Sequence, residues 1–219
     1  MARSLKKLIA AVFCLVLLFE LSSCAVNTKS AEQTGFSMGS LVGIKLYGKN
    51  SEALENANLL AEVVKTDERI SKNYEGSDIY RVNSSGEHGE TVSSETYDEL
   101  RTVCDVYSDS HGKAAALSGA LTELWGFDTD EFRLPSEDEI LSAKEKCGDD
   151  KLIFDDGKKV YIPDGAKLNL GSAGKGIALD EAVKRIDGIN SQGGKITGAV
   201  ISVGGSVATY GLPKKGKSW

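Results

Sequence analysis

Histidine is nearly absent from this chain. His88 and His111 are the only two in 219 residues, far apart and set among polar, turn-forming neighbours. That argues against a histidine-built metal centre and against a Ser-His-Asp triad, which both need an imidazole beside a partner. No C-x-x-C and no H-E-x-x-H occurs either. A basic excess is also missing: 26 Lys and Arg stand against 32 Asp and Glu, a net charge of −6. Nucleic acid is therefore not the expected partner, and charge alone will not hold so acidic a chain on anionic lipid. There is no internal repeat and no linker rich enough to divide the chain. With 41% hydrophobic and 26% charged residues, it has the make-up of one sizeable globular domain.

A long apolar run is lacking too, and the run that is present says why. "MARSLKKLIAAVFCLVLLFELSSCAVN" places Arg3, Lys6 and Lys7 before an apolar stretch from Leu8 to Leu21, interrupted only by Glu20. This is short of the about 20 residues of a spanning helix and has the layout of a secretory leader. It ends Leu21-Ser22-Ser23-Cys24, which resembles the bacterial lipobox of an aliphatic residue, two small residues and cysteine. The resemblance implies cleavage before Cys24, a lipid on Cys24 with palmitate among its acyl chains, and a protein anchored outside the cytoplasmic membrane. Residues 1–23 are then signal peptide, 24–35 a polar, lipidated tether, and 36–219 one domain. Of the four cysteines only Cys104 and Cys147 remain to the mature domain, as a disulfide or as two buried thiols.

Along that domain the pattern is mixed. Residues 37–48 alternate, with Val42, Ile44 and Leu46 on one face, and predict a strand. Residues 51–72 carry Leu54, Leu60, Val63 and Val64 at helical spacing. Residues 73–90 read as loop. A further helix follows, with Leu100, Val103, Cys104 and Tyr107 on its stripe. Ser136 with Glu139 forms a capping box that opens another. Asp156-Gly157 between two short β runs predicts a hairpin, and "KLNL" a further short strand. Leu179, Ala182, Val183 and Ile186 mark a helix, and 196–211 reads as strand broken at Gly204-Gly205. The order predicts an α+β fold, with a mixed, mostly antiparallel sheet and flanking helices. Alternation up to "GLPKKGKSW" implies a sheet still in progress, so the domain is expected to be incomplete at its C-terminus.

The densest stretch is "NLGSAGKGIALD", residues 169–180. It is not a Walker A loop, because Asn169 stands where the first glycine belongs and Gly176 where Ser or Thr should follow the lysine. Nor is it G-x-G-x-x-G, since Leu179 occupies the third glycine position. Glycines before a helix nevertheless let backbone N–H groups approach an anion, the helix start adds partial positive charge, and Lys175 adds a full one. Taken alone, the stretch suits an anion cradle and an ordinary tight turn equally.

Five segments together resemble the ApbE family, the FAD:protein FMN transferases. Residues 169–180 are similar to its D-L-G-x-x-A-K-G-x-x-x-D segment. "FSMGS" (36–40), "DERISKNYEGSDIYRVN" (67–83), "GALTELWGF" (119–127) and "ISVGGSVATYG" (201–211) resemble four others, in order. Lys217-Ser218-Trp219 resembles the segment after them. The resemblance implies Mg²⁺-dependent transfer of FMN from FAD to a Thr or Ser hydroxyl of an exported or membrane flavoprotein, with AMP released. Met38, Tyr74, Asn169 and Lys175 match FAD-contacting positions, and Ser172 matches a position that gives the metal a backbone carbonyl. Asp180 closes the motif and equally suits a surface position in a helix's first turn.

The departures are specific. Asn169 replaces the family's Asp. Ala115 and Leu117 fall where Asp and Thr are expected, and Ser206 where an Asp follows paired glycines. The family's remaining metal ligands, in a D-x-x-[ST] turn, belong beyond Trp219, which implies that this chain is inactive alone. A non-catalytic FAD-binding lipoprotein and an FAD pyrophosphatase are the other readings.

Overall fold

The computed structural model describes residues 28–127, 129, 131–213 and 217–219. The leader and Cys24 lie outside them. Two lobes, each with its own sheet and core, meet along a seam. In the first lobe β1 (Lys29–Ser37), β2 (Ser40–Gly48), β6 (Ile196–Val203) and β7 (Ser206–Gly211) form an antiparallel sheet in the order β1-β2-β6-β7. The two-residue period puts Val42, Ile44 and Leu46 of β2 on one face with Ala199, Ile201 and Val203 of β6. Helices α1 (Ser51–Glu55), α2 (Leu59–Ile70) and α7 (Gly174–Ser191) cover that face with Leu54, Leu59, Val63, Ala178, Ala182 and Ile186.

In the second lobe β3 (Glu90–Thr91), β4 (Ile153–Phe154) and β5 (Lys159–Tyr161) pair antiparallel in the order β3-β5-β4. Around them lie α3 (Asp78–Ser85), α4 (Ser94–Asp109), α5 (Gly119–Leu124) and α6 (Glu137–Glu145). Ile79, Val82, Leu100, Leu117, Val160 and Leu168 fill this core. The capping box of Ser136 and Glu139 starts α6 as its sequence demands, and the Asp156-Gly157 hairpin joins β4 to β5. The α+β class and the antiparallel pairing agree with the sequence pattern.

Four elements differ from it. Residues 29–35, expected as tether, are most of β1. Its polar, alternating "KSAEQTGFS" suits an edge strand with one face toward solvent. The single helix expected over 51–72 is two, interrupted at 56–58, where Asn58 takes a left-handed φ of 47°. The expected loop of 73–90 contains α3, which Ser77 caps by accepting the Tyr80 N–H. "KLNL" forms no strand. The Asn83 amide claims both backbone groups of Leu168, at 2.9 and 2.7 Å, and the Asn169 N–H goes to the Ala116 carbonyl, so none is left for a ladder. Cys104 and Cys147 are free thiols, and burial pushes the Cys104 thiol up to about 11.

Candidate functional site

Three tight corners of backbone come together at one end of the first lobe's sheet. The first is the β1–β2 turn, where Met38 and Gly39 both take positive φ, 51° and 64°. This is the paired left-handed geometry of a two-residue hairpin. Glycine adopts it freely; methionine does so at a cost of about 1 kcal/mol. The second is the β6–β7 turn at Gly204-Gly205, with the Gly204 N–H bonded to the Leu41 carbonyl at 2.9 Å. The third is the glycine-rich entry to α7, a single 3-10 turn over Leu170–Ser172 running into Gly174.

Asp67 holds the first corner. Its Oδ2 accepts the Ser37 hydroxyl at 2.9 Å and the Met38 N–H at 2.7 Å. Met38 is partly buried and packs against both lobes' cores. Lys175 bridges the second and third corners: a Cβ added to Gly204 would sit 3.2 Å from its Nζ and 2.9 Å from Ser40 Oγ. Gly204 therefore has two reasons to be glycine, its φ of 57° and the ammonium beside it. Among the described residues Lys175 has no hydrogen-bond or ion-pair partner, and no side chain caps the start of α7. A full charge and a helix's first N–H groups are thus presented together.

Asn169 is held from both ends. Its Oδ1 accepts the Gly171 N–H at 2.9 Å, and its Nδ2 donates to Thr122 Oγ1 at 3.0 Å. The Thr122 hydroxyl is already committed to the Gly119 carbonyl at 2.9 Å, so it serves Asn169 as an acceptor. The amide's donor is used here, which a carboxylate would lack.

Met38, Asp67, Asn169, Gly171, Gly174 and Lys175 line one cleft of about 170 Å³ between the lobes, and Ser71 to Asn73 close its side. That is below the roughly 300–1,000 Å³ that encloses a drug-sized ligand, so the cleft fits one part of a larger molecule, such as a phosphate group. Of the residues singled out in the sequence, Met38, Asn169 and Lys175 meet in it. Tyr74 lies just past its side wall, 54% exposed, with its ring against Gly76. Ser172 is exposed on the turn between Gly171 and Gly174. Asp180 faces a different groove, between α4 and α7. Asp67 was not singled out, yet its signal is in the sequence: Val63, Asp67 and Ile70 fall at i, i+4 and i+7, which places a carboxylate on a buried stripe.

Below the cleft, Arg69 forks onto Glu99 with two bonds of 2.6 Å and donates to Thr96 at 2.8 Å, tying α2 to α4 across the seam. Burial holds the Glu99 carboxyl above its ordinary range, and Arg69 opposes that shift. The loop in which Ala115 and Leu117 replace acid and hydroxyl residues is pinned from elsewhere: Asp149 accepts the N–H groups of Ala116 and Leu117 at 2.9 and 2.6 Å.

The ApbE family model matches residues 38–219. A FAD:protein FMN transferase of Haemophilus influenzae is 21% identical over 98% of this chain and 64% of its own length. Another from Klebsiella pneumoniae is 26% identical over 84% of this chain and 54% of its own. The crystal structure of the ApbE protein of Thermotoga maritima superposes with a TM-score of 0.76 at 28% identity, covering 86% of this chain and 61% of that one. The chain thus spans less than two thirds of the length of the relatives it matches.

Proposed function

This chain belongs to the ApbE family, and from that premise we propose that its cleft binds the pyrophosphate of FAD, as part of a FAD:protein FMN transferase. The observation that carries this reading is Lys175: an ammonium without an ionic partner among the described residues, poised over Gly204 at the uncapped start of α7. Two linked phosphates require such a place, with close backbone approach, N–H donors and positive charge. Met38 and Tyr74, at the cleft and just outside it, are assigned to the flavin end, and Asn169 to a hydrogen bond with the nucleotide.

The reaction proposed is transfer of the FMN phosphoryl group. The oxygen of a Thr or Ser hydroxyl of an exported or membrane flavoprotein forms a bond to the FMN phosphorus and gives up its proton to water, the bond to the bridging oxygen breaks, and AMP leaves with that oxygen. Such a transfer depends on positioning and charge neutralisation more than on covalent help from the protein. Here Lys175 and the glycine-turn N–H groups fix the diphosphate, and Asp67 fixes the corner that carries Met38. The cation expected with FAD, Mg²⁺, takes about six oxygen donors. Among the described residues no group of three or more His, Cys, Asp or Glu gathers to hold a metal. The Ser172 carbonyl offers one oxygen, so these residues alone do not build that site.

A binding-only role is the second reading. Among the described residues Asp67 is the sole acid lining the cleft, and its Oδ2 is already committed to Ser37 and Met38. Titrating FAD fluorescence against the protein and its Lys175→Ala variant tests the common premise. Affinity should fall by about 1.5–3 kcal/mol, the worth of a charge-assisted bond; an unchanged dissociation constant moves Lys175 to an ordinary turn. Mixing the chain with FAD, Mg²⁺ and an acceptor domain then separates transfer from binding by in-gel flavin fluorescence. We further propose that Cys24 carries the lipid and holds the protein on the outer side of the cytoplasmic membrane. Cys24→Ala should abolish processing and membrane association in cell fractions.

A further inference from the structure

The end of the four-stranded sheet away from the cleft bears a charge opposite to that of the molecule as a whole. Lys29 opens β1, Lys49 follows β2 and Lys195 precedes β6, and the three surround a shallow hollow also lined by Asn50, Ser51, Glu52 and Gly193. All three lysines are exposed. The Lys49 N–H donates to the Lys195 carbonyl at 3.2 Å, so the two side chains leave one corner. Lys195 stands there at a φ of 56°, a conformation that residues with side chains rarely take. Lys29 Nζ bonds Ser51 Oγ at 2.6 Å, and among the described residues none of the three lysines makes an ion pair. Among the described residues Glu52 is the one acid lining the hollow. Three positive charges against one negative leave the hollow net positive, which favours an anionic partner.

The path of the chain says which partner. Lys29 is five residues after Cys24, a separation of at most about 18 Å even if fully extended. Resting on the lipid anchor proposed at Cys24, we propose that this lysine corner docks on anionic lipid headgroups and sets the protein's orientation on the bilayer. The strands of the first lobe then run away from the membrane. Eight residue steps of β1 place the Met38 turn about 27 Å from Lys29, so the cleft opens toward incoming protein rather than toward lipid. The acyl chains supply attachment, and the lysines, each contributing roughly fivefold when within a Debye length of the surface, supply direction.

The test uses the mature, lipidated protein reconstituted on vesicles of phosphatidylcholine alone or with three tenths phosphatidylglycerol. A water-soluble amine-acylating reagent is applied, and modification of each lysine is read by mass spectrometry. Lys29, Lys49 and Lys195 should react about fivefold more slowly on the anionic vesicles and recover in 0.5 M salt, where the Debye length falls to about 4 Å. Lys113 and Lys144, in and beside the second lobe's helices, should not change. Equal reactivity of the three lysines on both vesicle types overturns the proposal, as does uniform slowing of all lysines. Protein that fails to float with phosphatidylcholine vesicles reports loss of the Cys24 anchor alone; the comparison with phosphatidylglycerol vesicles then decides the lysine surface. Under the same conditions, the combined Lys29→Gln, Lys49→Gln, Lys195→Gln variant should show Ser51- and Ser30-containing backbone amides exchanging equally on the two vesicle types, and a persisting difference also overturns the proposal.

Discussion

The two lobes are closed by different physics. In the first, nine-residue strands β1 and β2 and the eight-residue β6 pair over nearly their whole length, and backbone ladders satisfy the chain while aliphatic side chains fill one face. In the second, strands of two and three residues leave most backbone groups without a ladder. Side chains take over. Asp149 holds Ala116 and Leu117; Asp78 accepts the Ser93 N–H at 3.0 Å and hydroxyl at 2.6 Å; Asp155 accepts the N–H groups of Gly157 and Lys159; the Asn83 amide holds Leu168. The first lobe should thus respond to lost volume, and the second to lost or protonated acceptors.

The largest effect expected from this contrast is at Asp149. Asp149→Ala strands two buried N–H groups and should cost about 3–4 kcal/mol in urea unfolding, and Asp149→Asn, which keeps one acceptor oxygen, about half of that. Leu46→Ala, in the first lobe, should cost a similar 3–4 kcal/mol by leaving a cavity. Equal losses for Asp149→Ala and Asp149→Asn would show that both carboxylate oxygens must accept together, one alone being worth nothing.

Acid should separate the lobes next. Burial pushes the Asp78 carboxyl up, but Ser93, Thr96 and Arg81 together take it below its ordinary 3.8; the Lys159 N–H leads in lowering Asp155. A lowered carboxylate stabilises the fold above the unfolded value, and that stability is lost as pH falls from about 3.8 through the folded-state value. Asp149 has the opposite sign: burial raises it against the Leu117 and Ala116 N–H bonds that lower it, so the folded state takes up this proton more readily than the unfolded chain and offsets part of the loss, beginning above 3.8. Hydrogen exchange near pH 3 should open the Ser93, Gly157 and Lys159 amides before those of Ile44 and Ile201. Simultaneous opening would erase the distinction.

The smallest effect lies at the seam. Asp67→Asn keeps one oxygen for Met38 but loses the charge, and should cost about 1 kcal/mol while weakening FAD binding through the displaced turn. The measurement is flavin titration at a temperature where the variant is fully folded. A stability loss without any change in affinity would separate the Asp67 clamp from the cleft.

The contrast also explains what was legible in the sequence. Elements that carry their own signal were read correctly: the Ser136–Glu139 box, the Asp156-Gly157 hairpin, and the α7 stripe of Leu179, Ala182 and Ile186. β1 was hidden because an edge strand needs few apolar residues, and α3 because eight residues after a Gly-Ser turn offer little periodicity. Two clamps of the second lobe, Asp149 to Leu117 and Asn83 to Leu168, cross 32 and 85 residues of chain, and no local pattern encodes such a pairing. The meeting of Met38, Asn169 and Lys175 in one cleft was approached only through family-like motifs, since spacing alone left the glycine turn undecided.

Helix α7 belongs to neither lobe alone. Leu170 and Ile177, at its approach and first turn, pack into the second core, while Ala178, Ala182 and Ile186 lie in the first. Eighteen residues of one helix cannot melt at one end and keep full packing at the other without exposing a core. Heat should therefore remove both lobes in one cooperative transition, with equal calorimetric and van't Hoff enthalpies. The differences between the lobes then belong to local opening beneath that common melting point, and Lys175, one residue into the helix, sits where the two halves of the protein share a single fate.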